Sequence, residues 1–244
     1  MRRTPVRPVL VTVLLLGAGR GQEPVPTPAP APARVEPAVV RAGESLLRAH
    51  AERCRAVKVL VADYQQTRTT RLSREPLQSR GTFLFVREPA CIVFRATAPR
   101  VSVVRLRASL YEVFRPERKR LERFRLDGPE LSQGLFAAVG GDADLLLREF
   151  AVQACGPDPA AAGRTLLVLT PRREAVRERL RELRLSFADQ GGALAAVAYV
   201  DPAGDLVEIL LRDLRVDPES PPSCEFELPA DTTIVEHAAP KRLQ

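Results

Sequence analysis

This chain predicts an α+β fold: a long antiparallel sheet of about ten to eleven strands, an N-terminal helix and a short helical insert in mid-chain. Three observations predict it. A stretch near the start has helical apolar spacing. Most of the chain beyond it alternates apolar and polar residues between turn signals about eight to twelve residues apart. A Gly-rich break then interrupts the strands with a second helical pattern. Helices on one side of a long antiparallel sheet form an α+β layer architecture, and a sheet of about ten strands curls.

From Gly43 to Val61, apolar residues at Leu46, Leu47, Cys54, Val57, Leu60 and Val61 form one face of an amphipathic helix. Arg48, Glu52, Arg53, Arg55 and Lys58 form the other. His50 is read as a partly exposed helix histidine, since it has no partner at metal-ligand spacing. "DYQQTRTTRL", "LQSRGTFLFVREP", "ACIVFRATAP" and "RVSVVRLR" read as strands. In the second, Phe83, Phe85 and Arg87 take one face and Thr82, Leu84 and Val86 the other. "ASLYEVFRPERKRLERFRL" reads as two strands joined at Pro116. In "DGPELSQGLFAAVGGDADLLLREF", Leu131, Leu135, Phe136 and Val139 have helical spacing, and Leu145 to Leu147 form a second short piece. "GRTLLVLTP", a strand with Leu183, Leu185 and Phe187 on one face, two strands around Asp201 to Asp205, and "CEFELPADTTIVEH" complete the sheet. The last is expected to be a strand, a turn at Pro229 and another strand, with Phe226 and Leu228 on one face.

The N-terminus sets the expected compartment. Arg2, Arg3 and Arg7 precede an apolar run, Val9 to Leu16, which gives way to small residues up to Gly21. This is the pattern of a secretory signal peptide, and the run is shorter than the roughly 20 residues of a membrane span. Residues 1–21 are therefore expected to be the signal, 22–40 a Pro-rich linker, 41–238 the domain and 239–244 a disordered tail. Export places the domain outside the cytoplasm. Net charge is +7, almost all from Arg. The basic residues are spread along the chain with no basic block interleaved with aromatics, which argues against nucleic acid.

Catalytic patterns are missing. The histidines, His50 and His237, stand apart, and the chain has no G-x-S-x-G, P-loop, H-E-x-x-H or G-x-G-x-x-G. Asp142 and Asp144 are read as a loop that caps the next helix, not as a Ca²⁺ or acid–base pair. Neither enzyme activity nor a metal or other cofactor is expected. Cys54, Cys91, Cys155 and Cys224 form no CxxC; they allow three pairings, or four small buried apolar residues.

In order, the signposts resemble the periplasmic outer-membrane lipoprotein carrier family, LolA-like. They are "VADYQQT" with its aromatic-x-Gln at Tyr64 to Gln66, "SRGTFLFVREPACIVFRATAP", "LYEVFRPERKRLERF", "LLVLTPR", "VAYVDPAGDLVEILLRDL" and the closing Phe-x-apolar-Pro at Phe226 to Pro229. The resemblance spans about Gly43 to His237. It implies a strongly curved half-barrel with short lid helices over an apolar cavity. It implies a monomeric carrier that takes lipoprotein acyl chains or other lipids from an inner-membrane donor complex to an outer-membrane acceptor. Tyr64, Phe83, Phe85, Phe94, Tyr111 and Phe114 would line the cavity, with Arg87 at its rim for an anionic head group; plain core packing is the alternative for each aromatic. Two departures stand out. Glu88 replaces the family's Arg before Pro89, and Arg107-Ala108 replaces an Asp-Gly turn. These leave two other readings: an envelope sensor or regulatory module, and a general lipid or glycolipid binder.

Overall fold

The computed structural model describes residues 35–237, except 72, 74, 108, 127–129, 189–191 and 226, and only the backbone of 130–133. The expected signal peptide, most of the linker, the tail and Phe226 lie outside the described residues.

Helix α1 spans Pro37–Cys54. It begins before Gly43 because Pro37 occupies the first turn, where a missing N–H costs nothing. Residues 37–40 therefore belong to the helix, not to the linker. It also ends before Val61. β-Branched Val59 and Val61 join strand β1, Val59–Thr69, instead. His50 is a correction too: it is buried, because Leu46, Leu47 and His50 share one helix face.

The strands continue as β2 (Leu77–Val86), β3 (Cys91–Ala98), β4 (Ser102–Arg107), β5 (Leu110–Arg115) and β6 (Arg120–Arg125). Helices α2 (Glu130–Gly140) and α3 (Ala143–Glu149) form the predicted insert, and the Asp142 carboxylate caps α3 by accepting from Leu145 N at 2.9 Å. Next come β7 (Phe150–Pro157), β8 (Arg164–Pro171), the one-turn α4 (Glu174–Arg177), β9 (Glu182–Ala188), β10 (Leu194–Val200), β11 (Leu206–Val216) and β12 (Thr233–His237). Strand β7 does not show in the alternation, because its "AVQACGP" is small and irregular.

Among the described residues, twelve strands form one open sheet in the order β12-β6-β5-β4-β3-β2-β1-β11-β10-β9-β8-β7. Two antiparallel meanders, β1–β6 and β7–β11, join where β1 pairs with β11. The sheet curls toward its helices. Gly43 of α1 abuts Val152 of β7, while Cys54 of the same helix meets Arg87 at the end of β2. That helix segment is about 16 Å long. A flat sheet would hold β2 and β7 about 29 Å apart.

The two faces differ. The inner face, under the helices, carries one large apolar cluster that includes Leu47 and Leu146 from the helices. The outer face carries a smaller cluster of Val61, Leu84, Cys91 and Val93. Cross-strand register aligns Val61, Leu84, Val93, Arg105, Glu112, Arg123 and Glu236 in one outer row. The row is apolar at one end and charged at the other. Glu112 is fully buried there, with Arg105 Nε at 2.5 Å and Arg123 Nε at 2.9 Å. Much of the Arg excess thus sits in ion pairs within the fold.

After β11 the chain crosses the outer face as a strap. Asp217, in the left-handed region at φ 45°, accepts from Lys58 N and Val59 N at 2.9 and 2.7 Å. Further along, Arg95 donates to the Ser223 carbonyl and Arg105 to the Cys224 carbonyl at 3.2 Å. Among the described residues of 224–229, the expected first closing strand is therefore not formed. Guanidiniums, not a neighbouring strand, satisfy these carbonyls. The strap ends at β12, which pairs parallel to β6, where the sequence predicts an antiparallel partner.

Candidate functional site

The site with the strongest apolar signature is the inner face beneath α1–α3. Period-2 alternation puts Tyr64, Phe83, Phe85, Phe94 and Tyr111 on this face, all in the inner cluster and all buried. Phe94 is the hub: its ring lies 5.2 Å from Tyr64 and 5.1 Å from Phe83. Phe85 reaches Phe136 of α2 at 6.5 Å, and Tyr111 reaches Phe124 at 5.8 Å. These offset geometries suit aromatic quadrupoles.

Phe114 does not join them. It pairs across the sheet with Val103 and Leu121, on the outer face. The signal was in the sequence: Tyr111 and Phe114 are three residues apart in one strand, so they point to opposite faces.

Arg87 stands at the edge of the site but is turned to the protein. Its Nε donates to Val57 O at 2.7 Å, and its Nη2 to Cys54 O at 2.7 Å and Gly140 O at 2.9 Å. One guanidinium thus binds the C-terminal carbonyls of α1 and α2, where the helix dipole favours a cation. Its carbon also sits 5.8 Å from the Phe85 ring centre.

His50 makes a second tie between the helices. Its Nε2 lies 2.9 Å from Ala138 O of α2, and its ring meets Phe187 of β9 edge-on at 5.1 Å. Burial pulls its pKa below the ordinary imidazole value, the Ala138 bond opposes this, and Arg53 adds to it. The helix spacing of His50 with Leu46 and Leu47 was the available sign that it turns inward.

The apolar face has polar spots. Burial pushes the Tyr64 phenol up to about 12. Gln66 Oε1 and Ser102 Oγ are buried with no hydrogen-bond partner among the described residues. Among those residues no group of three or more His, Cys, Asp or Glu side chains is arranged to hold a metal ion. No described helix is long and apolar enough to cross a membrane.

No protein-family model matches the chain, and no curated protein matches it. Solved structures resemble it at low identity. One is an uncharacterised conserved protein from Thermus thermophilus: 10% identity, TM-score 0.45, covering 79% of this chain and 98% of that one. Another is the lipoprotein LppX from Mycobacterium tuberculosis: 10% identity, TM-score 0.42, covering 74% and 98%. A third is a LolA superfamily protein from Nitrosomonas europaea: 14% identity, TM-score 0.38, covering 75% and 95%. The class defined by the fold itself is an α+β protein whose open, mostly antiparallel sheet holds an apolar inner face under an N-terminal helix and short helices.

Proposed function

We propose that this protein binds lipid acyl chains between the inner face of its sheet and helices α1–α3, and that it carries lipoproteins through the periplasm toward the outer membrane. One observation carries the reading. The aromatic inner face is covered by helices that two side chains, Arg87 and His50, tie at main-chain carbonyls. Such ties come apart without breaking the sheet. Parting them would expose an apolar surface able to shield an acyl chain, at about 0.8 kcal/mol for each buried CH₂. Gln66 and Ser102 offer buried polar atoms for the chain's polar end. In this reading Arg87 is a latch on the helices, and Glu88 in the family's Arg position passes that task to its neighbour. Phe114 serves the outer face. Donor and acceptor complexes at the two membranes go with the carrier role, which involves no covalent chemistry.

The test is saturable binding of a dansylated fatty acid to the purified protein, with lipid extraction of protein recovered from the periplasm. Binding that weakens at least tenfold in Phe85→Asp, with the fold retained, is expected. Absence of both saturable binding and extracted acyl species would overturn the reading. Transfer of a triacylated lipoprotein from spheroplasts into the soluble fraction separates a carrier from a general lipid binder.

A further inference from the structure

Two of the four cysteines meet on the face the proposed lipid site does not use. Cys91 opens β3 on the outer face and is only 1% exposed. Cys224, on the strap, is half-buried and packs on the outer cluster of Val61, Leu84, Cys91 and Val93. Cys224 thus lies against the cluster that holds Cys91, and each thiol is the main influence on the other's titration. The strap is held on both sides of this contact. Arg95 binds the carbonyls of Ser223 and Glu225, and Arg105 binds the Cys224 carbonyl. Arg105 and Arg107 both bind the Glu225 carboxylate. Arg95 and Arg105 therefore hold the backbone around Cys224, and Arg105 and Arg107 hold the side chain of its neighbour Glu225.

Cys54 and Cys155 have other surroundings. Cys54 lies at the end of α1, within 3.8 Å of His50 Nδ1 and Val139 O. Cys155 is on β7, which α1 meets at Gly43, about 16 Å along the helix from Cys54.

We propose that Cys91 and Cys224 are a redox modification site: they form a reversible disulfide that clasps the strap to the outer face. The electrostatics favour the chemistry. The neighbouring Cys224 thiol and the side chain of Arg107 bring Cys91 down to about 7 against its burial, while the nearby Cys91 and its own burial push Cys224 up. The oxidant class is a small-molecule disulfide, such as oxidised glutathione. Cys91 holds the thiolate but at 1% exposure cannot reach glutathione, so half-buried Cys224 passes its proton to Cys91 and attacks one glutathione sulfur as the thiolate. A mixed disulfide forms, and one reduced glutathione leaves with that proton. The Cys91 thiolate then attacks the Cys224 sulfur and displaces the second glutathione as a thiolate. Starting from the Cys91 thiolate, the protein gives up two electrons and one proton, and one glutathione disulfide becomes one thiol and one thiolate.

The experiment uses the natural chain. Protein is incubated with oxidised glutathione or with dithiothreitol, alkylated under denaturing conditions and mapped by peptide mass spectrometry. A Cys91–Cys224 linked peptide is expected only after oxidation, with Cys54 and Cys155 still alkylated. In parallel, a Glu-specific protease is expected to cut the strap at Glu219 and Glu227 several-fold more slowly in the oxidised protein, and dithiothreitol is expected to restore the rate. Free thiols at both positions, a persistent glutathione adduct on Cys224, or a bridge to Cys54 or Cys155 would each overturn the proposal. An unchanged cleavage rate in the bridged protein would overturn the clasp.

Discussion

Arg87 Nη2 lies 2.9 Å from the carbonyl oxygen of Gly140, the last residue of α2. The same nitrogen donates to Cys54 O at the end of α1. Two helices from distant parts of the chain thus share one cation at their C-termini, where partial negative charge collects.

Arg87→Ala removes both ties. It is expected to cost about 2 kcal/mol, typical of hydrogen bonds to a charged group. Amide hydrogen exchange should rise in α2 and in the last turn of α1, with β2 and β3 unchanged. Arg87→Lys should recover only part of the protection, since an ammonium lacks the fork that reaches three carbonyls.

His50 makes the helix contact pH-dependent. The folded protein holds its imidazole neutral and below its unfolded pKa, so the unfolded chain binds the extra proton first as pH falls. Stability from this group is present above about pH 6.5 and lost as pH drops through the folded value. Arg53 and Cys54 are the titratable or charged neighbours on its own helix. Glu225, held low by Arg105, titrates below this window. The urea midpoint should fall between about pH 6.5 and pH 5, and His50→Asn should flatten that slope.

Glu112→Ala leaves the guanidiniums of Arg105 and Arg123 without the carboxylate between them. Breaking a buried pair of this kind costs about 3–5 kcal/mol. Equilibrium unfolding should show that loss. Because Glu112 faces outward, dansyl fatty-acid affinity measured under folded conditions should stay unchanged, unlike in Phe85→Asp.

Two glycine substitutions form a matched pair. At Gly81 an added Cβ would stand 1.8 Å from the Arg95 carbonyl oxygen across the β2–β3 ladder, and backbone cannot yield cheaply. Gly81→Ala should cost about 3 kcal/mol. Gly156 in β7 has nothing within 4 Å of the same position, so Gly156→Ala should be neutral or stabilising by about 0.5 kcal/mol. Thermal unfolding of both variants checks the contrast.

The sequence by itself determined the local pieces of this protein. Alternation in "TFLFV" assigned Phe83 and Phe85 to one face and Leu84 and Val86 to the other, because the strand period is two. Asp142 was readable as a cap, and Pro116 as a turn, since both act through their own backbone neighbours. Even the outward turn of Phe114 was encoded in its offset from Tyr111. Long-range partners were not. The pairing of β1 with β11, the parallel return of β12 beside β6, and the meeting of Cys91 with Cys224 join residues far apart in the chain. The strap shows why. Its carbonyls are satisfied by arginines from β3 and β4, and no local pattern in "CEFELP" states that those guanidiniums will replace a strand neighbour. Local geometry comes from covalent sterics and periodicity, whereas these contacts exist only once the sheet has formed and brought its outer face under the returning chain.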